Sequence, residues 1–304
     1  MDYRRYAQFL PAGYRAESLT APESTWWSWR GHRVHVARAR VPEASVRVLA
    51  VHGAGGHAGL VWPIAALAAQ AGVDTMAIDM PLYGDTVVPD PHSVRYTDWI
   101  ELLCEFVCAE TASDPRPLIV FGASMGGMLA YEVAARTGAV AHVVATCLLD
   151  PADPAARRAA VRWSFTGGAA PTVLRSVRPL AGGLRVPIKW LVDMGNMSLD
   201  PELSRLCAAD PKGGGVRVPL GFLADFLDFT HTPPDSTTTP LTLAHPAADR
   251  WTPPELSIRF LHRIAAQTRL VLLDGCGHFP IEDPGIRHLR DTLIGVLEEV
   301  SHSH

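Results

Sequence analysis

Lysine is almost missing from this chain: Lys189 and Lys212 are the only two among 27 basic residues. The basic side is nearly all arginine, set against 31 acidic residues for a net charge of −4. That balance excludes general polyanion binding, so nucleic acid is not an expected partner. Cysteine is scarce as well, and its five residues form an odd set without framework spacing. This excludes a disulfide scaffold and fits a reducing compartment. Cys104 and Cys108 lie four apart on a helix whose buried stripe is Trp99, Leu102, Leu103, Phe106 and Val107. Two thiols fall short of a tetrahedral zinc set, and neither a metal nor an organic cofactor is expected. No apolar run reaches membrane-spanning length, and Gln8, Pro11 and Arg15 interrupt any leader-like stretch behind Arg4 and Arg5. The expected location is cytoplasmic.

What the chain does contain is Gly122-Ala-Ser124-Met125-Gly126-Gly127, between the apolar run Pro117–Phe121 and the helical stretch Met128–Ala135. Strand, Gly-x-Ser-x-Gly, helix is the context in which this motif carries chemistry. The serine stands on a tight, strained turn with its hydroxyl raised out of the sheet. Gly122 and Gly126 are required because a Cβ at either place would collide with the turn. The helix that follows aims its N-terminal N–H groups at the serine, where they stabilise negative charge.

A serine nucleophile needs a base, and the base needs an orienting carboxylate; in this architecture they follow in the order Ser, Asp or Glu, His, each after a later strand. Thr239–His245 reads as a buried strand that opens into a loop bearing Asp249, with a helix starting near Pro254. The strand Arg269–Leu273 runs into Asp274-Gly-Cys-Gly-His278, a glycine-lined loop presenting one histidine. Ser124, Asp249 and His278 therefore form the candidate catalytic set. Asp150 or Asp153, after the strand Val143–Leu149, could supply the carboxylate instead. His52, His57, His245 and His288 compete with His278, although His52 comes too early in the order and reads as a loop brace. Cys276, two residues from His278, could lie near the site and confer sensitivity to thiol reagents. The strand Ser45–Val51 leads into His52-Gly-Ala54-Gly-Gly-His57, and its backbone at Ala54, paired with that of Met125, is the expected oxyanion hole.

The same glycine loop, with Asp79 ending the next strand, also resembles a dinucleotide fingerprint. That reading leaves Ser124, Asp249 and His278 without a role. Taken together, the elbow, His52-Gly-Ala-Gly55 and the ordered triad resemble the α/β-hydrolase superfamily over roughly Val46 to Leu297, with motifs most similar to the monoacylglycerol lipase and lysophospholipase branch. The branch commonly has histidine before the nucleophile where this chain has Ala123, and Asp79–Thr86 matches its glycine-rich turn only in part. The resemblance implies an α/β fold with a mostly parallel sheet, helices on both faces and a largely helical cap. It also implies a serine hydrolase acting on a small-molecule acyl ester, a monoacylglycerol or lysophospholipid among them. Thioesterase, amidase, C–C hydrolase and acyltransferase chemistry use the same triad, and a non-catalytic receptor could be built on the same scaffold.

Organisation follows the same division. Thr25–Arg30 and His32–Ala37 should form an edge hairpin turning at Gly31, with Trp26, Trp27 and Trp29 buried against the core or presented as a contact surface. Residues 1–149 and 239–304 should make the core, and 150–238, too long for a bare loop, the cap over the catalytic face. Pro154–Val192 carries Arg157, Arg158, Arg162, Arg175, Arg178, Arg185 and Lys189 with no acidic residue. That run reads either as a solvated helix face or as a cap contacting an anionic lipid interface. The sequence says nothing about oligomeric state.

Overall fold

Gly31 breaks an aromatic, alternating run into two antiparallel strands, β1 (Glu23–Trp29) and β2 (His32–Ala39). Alternation sends neighbours to opposite faces: Trp29 is buried and Trp27 packs edge-on against Phe106, while Trp26 is 45% exposed beside His35 and under Arg33. The expected burial of this segment thus holds for Trp27 and Trp29 and fails for Trp26. The structure, a computed structural model, describes residues 1–14, 19–160 and 181–303.

From β2 the sheet continues antiparallel into β4 (Asp74–Ile78), then in parallel through β3 (Arg47–Val51), β5 (Leu118–Gly122), β6 (His142–Ala145), β9 (Leu241–Pro246) and β10 (Thr268–Leu273). The eight strands lie in the order β1-β2-β4-β3-β5-β6-β9-β10. Strands β3 to β6 and β9 are buried along their whole length, which is why they read as apolar runs without alternation. After a short α1 (Arg4–Ala7), helix α2 (Ala58–Gln70) and the C-terminal helix α9 (Gly285–Ser303) pack together, as do α3 (Tyr96–Ser113) and α4 (Met125–Thr137). Tyr131 of α4 meets Phe260 of α8 (Pro254–Leu261) edge-on. The two groups flank the sheet.

Between β6 and β9 strand and helix still alternate, contrary to expectation, but among the described residues no strand there joins the main sheet. The described part holds α5 (Pro154–Ala160), α6 (Pro201–Ala209), α7 (Leu220–Asp228) and an antiparallel ribbon of β7 (Arg185–Pro187) with β8 (Arg217–Pro219). The ribbon was not anticipated; three-residue strands are too short to leave a period. Helix α7 seats on α3 through Trp99 with Phe222 and Tyr96 with Phe226. Arg162, Trp163, Phe165, Gly167, Gly168, Arg175 and Arg178 lie outside the described residues. Among the described residues, no helix is long and apolar enough to cross a membrane.

Candidate active site

Only Ala123 and Ser124 separate the end of β5 from the start of α4, and the Ser124 backbone has φ +56°. A non-glycine residue in that region is strained, and surrounding contacts must hold it there. Here the restraints are tight. A Cβ on Gly122 would collide with the Gly126 carbonyl, and one on Gly126 with the Val51 carbonyl. The Ser124 N–H donates to Thr146 Oγ1 at 3.0 Å, anchoring the elbow to the end of β6.

Asp249 and His278 arrive from the loops after β9 and β10 and meet at this serine. His278 Nε2 lies 2.8 Å from Ser124 Oγ, and His278 Nδ1 lies 2.8 Å from Asp249 Oδ2. The Asp249 carboxylate also accepts the Trp251 and Thr252 N–H groups on Oδ1 (2.8 and 2.9 Å) and the Thr252 hydroxyl on Oδ2 (2.7 Å). Burial opposes ionisation of Asp249, yet attraction to His278 and hydrogen bonds from His278 and Thr252 hold its pKa at about 2. With an ionised carboxylate at Nδ1, that nitrogen carries the proton and Nε2 is left to accept one from Ser124. Trp251 covers the imidazole, ring centroids 4.4 Å apart.

The other candidates are engaged elsewhere. Asp150 accepts the Ala152 N–H (2.9 Å) and faces Arg263, while Asp153 accepts the Ala155 N–H and pairs with Arg259 at 2.9 Å. Neither bonds His278 among the described residues. His52 is the brace expected: Nε2 accepts the Met80 N–H (3.0 Å), so Nδ1 carries the proton donated to Gly53 O (2.8 Å), and burial pushes its pKa down to about 4. His57 caps α2, accepting the Gly59 N–H, and reaches Asp210 at 2.9 Å. His245 Nδ1 turns to its own strand at Pro246 O, and His288 lies on α9. Cys276 is fully buried against Leu273 O, with burial raising its thiol to about 12, both of which oppose the expected reagent sensitivity at that position.

The glycine loop after β3 presses against the elbow. A Cβ on Gly53 would lie 2.8 Å from Ser124 Cβ and 2.9 Å from Met125 N. Neither the Ala54 nor the Met125 N–H has a hydrogen-bond partner among the described residues. Both residues line, with Ser124, an apolar cavity of about 100 Å³ walled by Ile188, Leu191, Phe222, Phe226 and Trp251. Asp79 cannot serve a dinucleotide ribose: its buried carboxylate is taken by the Ala58 N–H (2.6 Å), the Asp85 N–H (2.8 Å) and His35 (2.7 Å). Sequence reasoning missed Thr252 and Thr146. The first was findable, since Asp-x-x-Thr at a loop end is a side-chain-capped turn; the second meets Ser124 only through sheet pairing.

Known proteins give the same outline. The sequence model of the Alpha/beta hydrolase family matches residues 48–286. Over 105 residues the chain is 29% identical to protein phosphatase methylesterase 1 of Homo sapiens, a match that covers 34% of this chain and spans 27% of that protein's length. Two solved structures are similar over nearly the whole chain. One is a soluble variant of the monoglyceride lipase of Saccharomyces cerevisiae in complex with a substrate analog (15% identity, 93% of this chain and 97% of that one, TM-score 0.74). The other is the Paleococcus ferrophilus monoacylglycerol lipase (20% identity, 89% and 99%, TM-score 0.68). At such identities the likeness establishes the fold.

Proposed function

The chain belongs to the alpha/beta hydrolase family, and from that premise we propose that it is a serine hydrolase cleaving a small-molecule carboxylic ester through an acyl-enzyme. One observation carries the reading: Ser124, His278 and Asp249 form a hydrogen-bonded chain with both links at 2.8 Å, at the foot of an apolar cavity. Ser124 Oγ attacks the ester carbonyl while His278 Nε2 takes its proton, later passing it to the leaving alcohol. Asp249 holds the imidazole tautomer and stabilises the imidazolium. The Ala54 and Met125 N–H groups receive the tetrahedral oxyanion, and water then releases the acid.

Residues 150–238 act as the cap in this reading, with Ile188, Leu191 and α7 forming the wall against which an acyl chain packs. Ser124 and Thr252 bring the only hydroxyl or charged side chains to that cavity among the described residues. An uncharged hydrocarbon acyl group is therefore the fitting occupant, and the monoacylglycerols named for the two similar lipases carry one. The test is hydrolysis of alkyl esters of increasing acyl length, followed by acid release, with Ser124→Ala alongside and a fluorophosphonate probe mapped by mass spectrometry. Turnover and labelling lost together in Ser124→Ala, from folded protein, support the reading. Turnover that survives in Ser124→Ala refutes it.

A further inference from the structure

Ser124 and Ala54 also line a second, much smaller chamber of about 20 Å³. His278 borders this chamber and does not border the larger cavity. The base must protonate the leaving oxygen, so the leaving group lies on the His278 side of the tetrahedral centre and the acyl group on the other. The larger cavity is then the acyl site and the smaller one the alcohol site. A water needs roughly 10–15 Å³ of such space, so the alcohol site has room for a water or a methoxy group and little more. Its lining includes Leu60 and Val61 of α2, Gly53 and Gly56, with Met197 and Phe279.

The part lined by Met197 and Phe279 is tied down. The Phe279 N–H donates to Met197 O at 2.7 Å. Glu282 accepts the Ser198 hydroxyl and the Leu199 N–H (2.8 Å) on Oε1, and the Gly277 N–H (3.3 Å) on Oε2. The backbone of Met197 therefore cannot move away without breaking a set of bonds that also hold the loop of His278. Resting on the ester-hydrolase reading, the geometry points to a narrower substrate class: esters joining an apolar acid to a one-carbon alcohol, methyl esters above all. In the acylation step the Ser124 proton passes to His278 Nε2 as the Oγ–C bond forms. The C–O bond to the methoxy group then breaks, that oxygen takes the proton, and methanol leaves. Water enters the vacated chamber, and its attack releases the acid and restores Ser124.

The experiment compares methyl, ethyl, propyl and glyceryl esters of one acid by acid release, in the wild type, Ser124→Ala, Met197→Ala and Val61→Ala. Met197 and Val61 wall the small chamber and do not border the acyl cavity. In the wild type, kcat/KM should fall by at least about tenfold from methyl to glyceryl ester, the scale of a tight pocket rejecting added atoms. The two enlarging variants should close most of that gap. Ser124-dependent hydrolysis in which the glyceryl ester is as good as the methyl ester overturns the inference, as does a ratio unchanged in whichever enlarging variants fold. Absence of Ser124-dependent turnover on every ester is a different result, and it overturns the ester-hydrolase reading together with this one.

Discussion

Replacing Asp249 by asparagine tests the proposed orienting carboxylate with almost no change of shape. Oδ1 can still accept the Trp251 and Thr252 N–H groups. The other terminus becomes an NH₂ facing His278 Nδ1 and the Thr252 hydroxyl, where a carboxylate oxygen had accepted both. Two N–H donors cannot meet, so His278 adopts the opposite tautomer. Its proton then sits on Nε2, which can no longer accept one from Ser124. A wrong tautomer in a serine triad costs about 10⁴-fold in turnover, or about 5.4 kcal/mol.

Stability changes in a way that can be read separately. The Asp249 pKa is depressed from 3.8 to about 2 in the folded protein, worth roughly 2–3 kcal/mol by linkage. A depressed carboxylate stabilises fully above its unfolded pKa and loses that contribution as pH falls through the folded value. Denaturant melts between about pH 5 and pH 1 should therefore show a loss of that size in the wild type that is missing from Asp249→Asn. Ester hydrolysis at neutral pH gives the first quantity and urea unfolding the second. Retention of more than about a tenth of wild-type activity, far short of the loss a misoriented base produces, would refute the assignment and direct attention to Asp150 and Asp153.

Gly53→Ala should lower turnover by roughly 10²–10³-fold, the scale of losing one oxyanion donor, because the new methyl presses on Ser124 Cβ and Met125 N. Comparable kcat in the folded variant would show that the two N–H groups are not what holds the oxyanion. Among the cysteines, Cys108 is exposed, whereas Cys147 and Cys276 are buried with thiols raised to about 12. A maleimide at pH 7.5 should therefore label Cys108 with activity intact, and rapid inactivation coupled to labelling of Cys276 would contradict the buried position of its loop.

The sheet and the site were legible to different depths. Buried parallel strands such as Leu118–Gly122 announce themselves as short apolar runs, and the elbow announces itself because Gly-x-Ser-x-Gly meets a strand and a helix at its two ends. Asp249 and His278 were readable by strand order, a property of topology that survives without coordinates. The ribbon at Arg185–Pro187 and Arg217–Pro219 left no trace, since its pairing is between segments thirty residues apart with no periodic pattern. Thr146 and Met197 were equally silent: each acts through a neighbour that only the fold brings close. The outward face of Trp26 shows the reverse failure, where hydrophobicity suggested burial and the pleat of an edge strand decided otherwise.

Glu282 binds Ser198 and Leu199 on one side and Gly277 on the other. A doorway opened at Ser198 would drag the backbone of Gly277 and Phe279 outward, and His278 would part from Ser124. Leu191 and Leu223, which border the acyl cavity and are only partly covered, lie outside that bonded set, so movement there leaves the base in register. Side chains there are held by dispersion contacts, each worth about 0.1–0.2 kcal/mol per atom pair and easily exchanged. Movement on the acyl side is thereby uncoupled from the bonds that aim the proton acceptor.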